Sequence, residues 1–486
     1  MNIYLILSIF CTAIITLLAV KKNSSVRLAA AIFSALLSAS LIWQLWPQLI
    51  GGAPLVSDWL FIDSFSAIMA SLVALLSFFA TVISYHYLGH ERREGIISDT
   101  DIKIYFTLLQ VFVLSMLVVV LTNQTLLMWL AMEISTLSST FLVGLYRKKQ
   151  SIEAAWKYVI ICSTGITLSL IGILLLGFGV HSAGEAGSSA FLLSTLLSKT
   201  ALIAPDLAKL AFVFIFIGFG AKIGFVPMHT WLPDAHGNAP SPISALFSGI
   251  LLNIALYVVV RFQLVVNHSL GGHDWTSNFF LIFGLLSILL PALMMLIQNN
   301  YKRMLAYSTI EHMGLIAIGL ALPPIGVAAA IIHIIGHALI KSSLFFGAGE
   351  ILLRYKTTKI DKVRGLLINM PYTSLLFVLG ILAIVAVPPS LLFVSEYQLF
   401  LVLIKAHLVM SVAIFLALTI IAVAMLKLTL DMVLSPVSGE STVNKEHWNL
   451  THTIISAELL VMLGLMLWFS SSSGQAYVSA VAAQLF

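Results

Sequence analysis

Residues 325–353 read IGVAAAIIHIIGHALIKSSLFFGAGEILL, and this stretch decides the fold. A helix needs about 20 consecutive apolar residues to cross a bilayer, and the run exceeds that. It also carries His333, His337 and Lys341, which step by four and so share one helix face over two turns. An ionisable side chain at the centre of a span costs at least about 2.5 kcal/mol on insertion scales, so a row of three demands partners or a function. Three titratable groups in one stripe can pass a proton.

The rest of the chain has the same character. Of its 486 residues 60% are hydrophobic and 9% charged, and the mean hydropathy is +1.05. A soluble domain carries about 25% charged residues, and no soluble fold could hide so much apolar surface. Apolar runs of spanning length fall near 3–20, 26–46, 64–87, 103–122, 125–146, 155–179, 208–234, 241–263, 276–297, 304–322, 325–353, 371–405, 408–430 and 450–470. The expectation is an all-α polytopic membrane protein of about fourteen helices forming a single domain over 1–486. The first run starts near Met1 without a basic leader and is followed by Lys21 and Lys22, so it reads as a retained helix and not a cleaved signal. The Ser-, Gly- and Ala-rich segment 180–207 reads as a surface loop.

The formal charge of +5 comes from basic residues placed between spans, which excludes a nucleic-acid reader. Lys21, Lys22 and Arg27, then Arg92 and Arg93, Arg147 to Lys149, Lys302 and Arg303, and Arg354 to Arg364 all follow odd-numbered spans. The positive-inside rule therefore places both termini outside. The two cysteines, Cys11 and Cys162, lie in apolar runs and exclude a disulfide framework or a Cys-ligated cluster. The chain is expected to hold no cofactor and no metal of its own, and no residue is assigned a covalent catalytic role.

Prolines interrupt two spans beside charges. Pro227 lies in AKIGFVPMHTW after Lys222, and Pro388 and Pro389 lie in VAVPPSLLFVSEY before Glu396. Broken helices at matching places in two halves point to an inverted-repeat transporter with its site near the midplane. If helices 4–8 (101–265) and 9–13 (270–432) are the repeats, flanked by 1–100 and 445–486, Glu133 falls opposite Glu311. The candidate relay is therefore Glu133, Lys222, Glu311, His312, His333, His337, Lys341 and Glu396. Low dielectric disfavours the charged form of a lysine or histidine and a nearby carboxylate restores it, so moving a carboxylate switches proton affinity. A Glu133–Lys222 pair that opens and closes would act in this way, with Lys222 facing a polar chain through His333, His337 and Lys341 to Glu396.

Plainer readings exist. Lys222 could be a structural counter-ion of Glu133, Glu396 could bond backbone freed at the break, and the histidines could be packing residues. Glu311 and His312 could be solvated at the inner end beside Lys302 and Arg303. Trp231, Asp234 and His236 read as a shaped connector with Trp231 as interface anchor, and Lys157 reads as a snorkelling residue or a relay member.

At these residues the chain resembles the antiporter-like subunits of respiratory complex I, the Mrp sodium/proton antiporters and the membrane-bound hydrogenases. The resemblance rests on AMEISTL around Glu133, KIGFVPMHTWLPDAHGNAPSPISALFSG from Lys222, YKRMLAYSTIEHMG from Tyr301, HIIGHALIKSSLFFGAGEI from His333 and FVSEY around Glu396. IEHMG with LSSTFLVGLYR looks most like component F of hydrogenase-4 and formate hydrogenlyase-type complexes. The resemblance implies a fourteen-helix fold with two inverted five-helix repeats, a Glu–Lys pair at Glu133 and Lys222, and a polar axis ending at Glu396. It also implies a proton-moving, non-catalytic subunit in a bacterial or archaeal cytoplasmic membrane. Partner subunits, such as a hydrogenase or dehydrogenase peripheral arm, would hold the nickel, iron–sulfur or quinone chemistry. An Mrp-type sodium/proton exchanger and a proton-driven module for inorganic carbon uptake are the alternatives. Two departures stand out: Asn253 in LLNIALY where relatives often carry a lysine, and VPPSLL where they usually place a glycine beside the proline.

Cysteines substituted for Lys356 or Lys359 should react with impermeant thiol reagents only from the cytoplasmic side. Labelling from outside would overturn both the topology and the helix count.

Overall fold

Hydrocarbon offers no water to a backbone N–H or C=O, so a chain of this composition must pair its backbone within each crossing segment. In the computed structural model, which describes residues 24–182, 187–322, 324–436 and 446–485, it does so almost entirely through helices. They are α1 (Ser24–Leu49), α2 (Ser64–Arg93), α3 (Asp99–Leu121), α4 (Thr125–Val143) and α5 (Lys149–Ser182). Next, α6 (Pro205–Ile223) and α7 (Trp231–Asn238) form one interrupted span, and α8 (Ser241–Leu270) contains a π-helical turn at Phe247–Leu251. After α9 (Asp274–Met295), α10 (Tyr301–Ala321) and α11 (Ile325–Tyr355) comes a second interrupted span, α12 (Pro371–Ile384) and α13 (Leu391–Ala406). The series ends with α14 (Leu408–Leu434), α15 (Leu450–Phe469) and a short α16 (Ser472–Ala483).

Among the described residues, 12 helices are long and apolar enough to cross a membrane. The run at 3–20 lies outside the described residues, and the run at 371–405 is divided into the two shorter pieces α12 and α13. Several helices outrun their apolar stretch, α5 over 149–182 instead of 155–179, because polar end residues continue the helix into the headgroup layer. The segment read as a surface loop folds into short helical turns, Gly187–Phe191, Leu193–Ser198 and Thr200–Leu202. Leu193 and Leu196 bury there, and Asn123 ties the turn down by accepting from Ser194 N at 2.9 Å.

Burial sorts the helices into layers. All of the most apolar window of α8 and α10, and 94% of that of α11, is buried, against about one third for α14 and α15. The central helices are thus shielded from lipid, and among the described residues they carry half of the buried ionisable ones. Peripheral helices turn apolar side chains such as Trp43, Phe141 and Phe415 outward. Between membrane helices there is little hydrophobic driving force, so close packing relies on small residues. A Cβ on Gly218 of α6 would lie 2.5 Å from the carbonyl oxygen of Gly165 on α5, and one on Gly314 of α10 would lie 2.7 Å from that of Gly284 on α9.

The N-terminal helices are locked to the core by one ion pair. A hairpin of β1 (Leu55–Val56) and β2 (Phe61–Ile62) leads to Asp63, whose side chain caps α2 by accepting from Ser66 N at 2.8 Å. The same carboxylate receives Arg261 of α8 in a two-pronged contact, Nη1 to Oδ2 at 2.7 Å and Nη2 to Oδ1 at 2.5 Å. The guanidinium also donates to Ser66 Oγ and lies 4.7 Å from the Tyr257 ring centre. Burial alone would raise the Asp63 carboxyl, but the Arg261 charge and hydrogen bonds hold it below the usual carboxylate range.

Removing one member of such a pair strands a buried charge. Asp63→Ala should therefore destabilise the protein by about 3–5 kcal/mol, whereas Asp63→Leu with Arg261→Met should recover most of the loss. Thermal unfolding of the detergent-purified chain checks both. Equal damage from the single and double variants would show that the pair contributes shape and not charge compensation.

Candidate functional site

The first interruption lies beside Lys222. Helix α6 ends at Ile223, Gly224 takes the left-handed conformation (φ 82°) that a side chain would resist, and the chain turns through Pro227 before α7. The freed backbone groups find partners inside the protein. Val226 N donates to Ser287 Oγ at 3.0 Å, and the Trp231 indole donates to Ala221 O at 2.8 Å. Trp231 is fully buried and stacks near Tyr158, with ring centres 4.6 Å apart, so it closes the broken helix and is not an interface anchor.

Lys222 is fully buried, and its ammonium donates to Thr136 Oγ1 at 2.7 Å and Tyr158 OH at 2.6 Å. The expected Glu133 contact is not made in this structure. Glu133 sits one turn before Thr136 on α4 and turns toward α5, where its Oε1 accepts from Ser163 Oγ at 2.6 Å. Its Oε2 is buried without a hydrogen-bond partner among the described residues. Thr136 and Glu133 share a helix face, one turn apart.

The second interruption, between Ile384 and Leu391, holds Pro388 and Pro389. Here Ala386 takes the left-handed position (φ 56°) that Gly224 holds in the first. Ser390 caps α13 by accepting from Phe393 N at 3.1 Å. One turn into α13, Ser395 and Glu396 face the histidines.

Around α11 the ionisable residues cluster, with Glu311, His312 and His333 linked by contacts of hydrogen-bond or ion-pair length. His312 of α10 and His333 of α11 share a contact, Nδ1 to Nε2, of 3.0 Å, and His333 Nδ1 lies 3.0 Å from Ser395 Oγ. His312 Nε2 lies 3.3 Å from Glu311 Oε2, within ion-pair reach though not aligned as a hydrogen bond. Glu311 and Glu396 line a cavity of about 20 Å³ beside the second break, room for one water molecule. The His337 ring centre lies 5.3 Å from that of His312, and neither of its nitrogens has a hydrogen-bond partner among the described residues. Lys341 donates to Leu305 O of α10 at 2.8 Å. The stripe 333, 337, 341 therefore lies against α10. Glu311 and His312 are each 2% exposed, which rules out the reading of a solvated inner end.

The chain of polar groups does not reach Lys222. Between them stand the rings of Tyr158, Trp231 and Phe247, with His236 stacked on Phe345 of α11 at 5.0 Å. Asn253 does not bridge the gap, because its Nδ2 turns back to Gly249 O on its own helix at 2.9 Å. The hydroxyls nearest the divide are Ser248 in the π turn and Thr309 of α10, 2.6 Å apart.

Other residues settle outside the relay. Lys157 is exposed and pairs with Glu153 at 2.7 Å and Asp234 at 3.0 Å, and Asp234 also accepts from Arg303 at 2.6 Å, so these charges fasten a helix end at the surface. Lys302, read from sequence as a topogenic charge, is instead fully buried with its ammonium on Ala239 O at 2.7 Å. Sequence reasoning also passed over Glu91, Arg261 and Glu458, all buried. Arg261 in VVVRFQLVV and Glu458 in ISAELLVML show the signal that could have found them, an ionisable residue inside an apolar run.

No metal ligand was assigned from the sequence. His312, His333 and Glu396 nevertheless place one ligand atom each within 4.8 Å of the others, a donor set that suits a divalent ion. The two His333 contacts, however, already have hydrogen-bond lengths, which suits proton exchange.

Residues 122–422 match the family described as NADH:quinone oxidoreductase/Mrp antiporter, TM. The chain is 35% identical over 340 residues to a hydrogenase-4 component F homolog of Methylacidiphilum infernorum, covering 69% of this chain and 71% of that protein. It is 33% identical over 347 residues to hydrogenase-4 component B of Escherichia coli, covering 69% of this chain but only 49% of that protein. Its fold matches a chain of the membrane-bound sulfane sulfur reductase, an archaeal respiratory membrane complex, with a TM-score of 0.86 at 22% identity over 99% of this chain and 97% of the other. With its two interrupted spans and its buried row of histidine, lysine and glutamate, the chain belongs to the NADH:quinone oxidoreductase/Mrp antiporter family of multi-pass membrane subunits.

Proposed function

We propose that the chain translocates protons across a bacterial or archaeal cytoplasmic membrane as a subunit of a redox-driven, hydrogenase-4-like or complex I-like assembly. Both termini face outside, and partner chains hold the redox cofactors. The observation that carries this reading is the hydrogen-bonded series from His312 through His333 to Ser395, beside Glu311 and Glu396, which line one small cavity. Two imidazole nitrogens 3.0 Å apart share one proton, since one must donate and the other accept. A proton arriving on His312 Nε2 can thus release another from His333 Nδ1 toward Ser395 and Glu396. Both tautomers are then reversed, and the rings must reset before the next proton, which gives the path a direction when an outside event controls the reset.

Lys222 supplies the corresponding switch in the first half. Held by two neutral hydroxyls, its charge is poorly compensated; swung one turn to Glu133, it would be paired. Alternation between these positions changes its proton affinity without covalent chemistry. The nearby Tyr158, Trp231 and Phe247 rings keep the two halves apart at rest, so a proton crosses the divide only when that cluster rearranges.

In liposomes holding the native complex, Lys222→Ala should reduce proton pumping to the background leak. Lys222→Arg should be nearly as damaging, because a guanidinium stays charged and cannot be unloaded. Normal pumping by the arginine variant would make Lys222 a structural counter-ion. Uptake that instead needs sodium and no electron donor would assign the chain to an exchanger of Mrp type.

A further inference from the structure

Glu311 of α10 and Glu396 of α13 line one cavity of about 20 Å³ beside the second break. Among the described residues neither has a lysine or arginine within salt-bridge reach, and Glu311 Oε1 is buried without a hydrogen-bond partner. Asp63, by contrast, meets Arg261 directly. Two ionised carboxylates at this depth carry two negative charges that no nearby ammonium or guanidinium cancels. One divalent cation would cancel both.

The histidines beside the cavity are oriented as ligands. Ser395 Oγ donates to Leu392 O at 2.9 Å, so toward His333 Nδ1, 3.0 Å away, it accepts. His333 therefore carries its proton on Nδ1 and turns the bare Nε2 toward His312 Nδ1, 3.0 Å away. On its far side His312 Nε2 faces Glu311 Oε2 at 3.3 Å. The outer nitrogen of each ring thus meets an oxygen acceptor, which is how proteins hold a metal-bound histidine in its tautomer and orientation. Glu396 supplies a third donor, since it and the two histidines each bring one ligand atom within 4.8 Å of the others. Two nitrogens bound to a tetrahedral zinc ion at about 2.0–2.1 Å lie about 3.3 Å apart, so from 3.0 Å the rings need separate by only about 0.3 Å. Glu396 is half-buried, which leaves its carboxylate room to turn inward, and the cavity has space for one water as fourth ligand.

We propose that His312, His333 and Glu396 form a binding site for a divalent transition metal of the zinc class, with Glu311 holding the outer nitrogen of His312. Imidazole suits such an ion, whereas magnesium and calcium take oxygen ligands. On binding, the His312 proton moves from Nδ1 to Nε2, where Glu311 Oε2 accepts it. No proton leaves either ring, Glu396 binds as carboxylate, and the two carboxylates balance the two charges of the ion. The ion takes the place of the proton between the rings and so excludes transfer from one to the other. The site stands on its own geometry and goes beyond the proton-translocating reading.

The full-length chain, purified in detergent and stripped with a chelator, tests the site when titrated with Co²⁺. That ion absorbs visible light intensely in a tetrahedral site and weakly in an octahedral one. The expected result is one intensely absorbing Co²⁺ per chain, displaced by Zn²⁺ and not by Mg²⁺. Glu396→Gln and His333→Gln each remove a ligand and should abolish the bands, with folding checked by thermal unfolding. Ser395→Ala leaves all three ligands in place and should weaken binding by about 10–100-fold, a change that a serine with a merely structural role would not produce. His90→Gln, in the polar surface pocket shared with His86, Glu350 and His452, should leave the bands unchanged. Absence of intense bands in the unmodified chain, or their survival in Glu396→Gln, overturns the proposal. Pumping by the native complex with and without Zn²⁺ is read separately: bound Zn²⁺ that leaves pumping intact would count against the histidines as the proton path while the metal site stands.

Discussion

Inside hydrocarbon every backbone hydrogen-bonding group must be paired by the protein itself, and every charge must be answered there too. The rest of this structure depends on that constraint. It forces the chain into helices, and it allows a helix to break only where other protein groups can take over the lost bonds. At the first break Ser287 and the Trp231 indole do so, and at the second Ser390 does. The same constraint gathers half of the buried ionisable residues described on α8, α10 and α11, the helices with least lipid contact. A broken helix and a buried titratable group are thus two consequences of one polar interior.

The two halves handle their buried charge differently. Lys222 is held by hydroxyls, with its candidate carboxylate one turn away, and around α11 histidines bond directly to one another and to a serine. The first arrangement suits a single group whose proton affinity changes with its partner. The second suits transfer of a proton along a row by exchange of tautomers. The rings of Tyr158, Trp231 and Phe247 stand between them.

Peripheral helices serve attachment. The Asp63–Arg261 pair fastens the helices before α3 to the central α8, and the price of burying it is met by capping, the Ser66 hydroxyl and three aromatic faces. Glycine contacts between α5 and α6 and between α9 and α10 set helices at backbone distance where lipid supplies no attraction of its own.

The sequence by itself determined that the chain spans a membrane many times, because apolar runs of that length have no other stable environment. It also determined where helices break and which residues in the later half carry the charge, since proline chemistry and the cost of an ionisable residue are local properties. His333, His337 and Lys341 could be placed on one face by spacing alone. Only the tertiary structure decided what each group meets. Glu133 turns to Ser163 and leaves Lys222 to Thr136 and Tyr158, Lys302 withdraws from the surface to Ala239, and Trp231 closes a helix end instead of anchoring in the interface. These outcomes depend on how helices far apart in the chain rotate against one another, and a rotation of one residue, about 100°, replaces one neighbour by another without altering any local pattern.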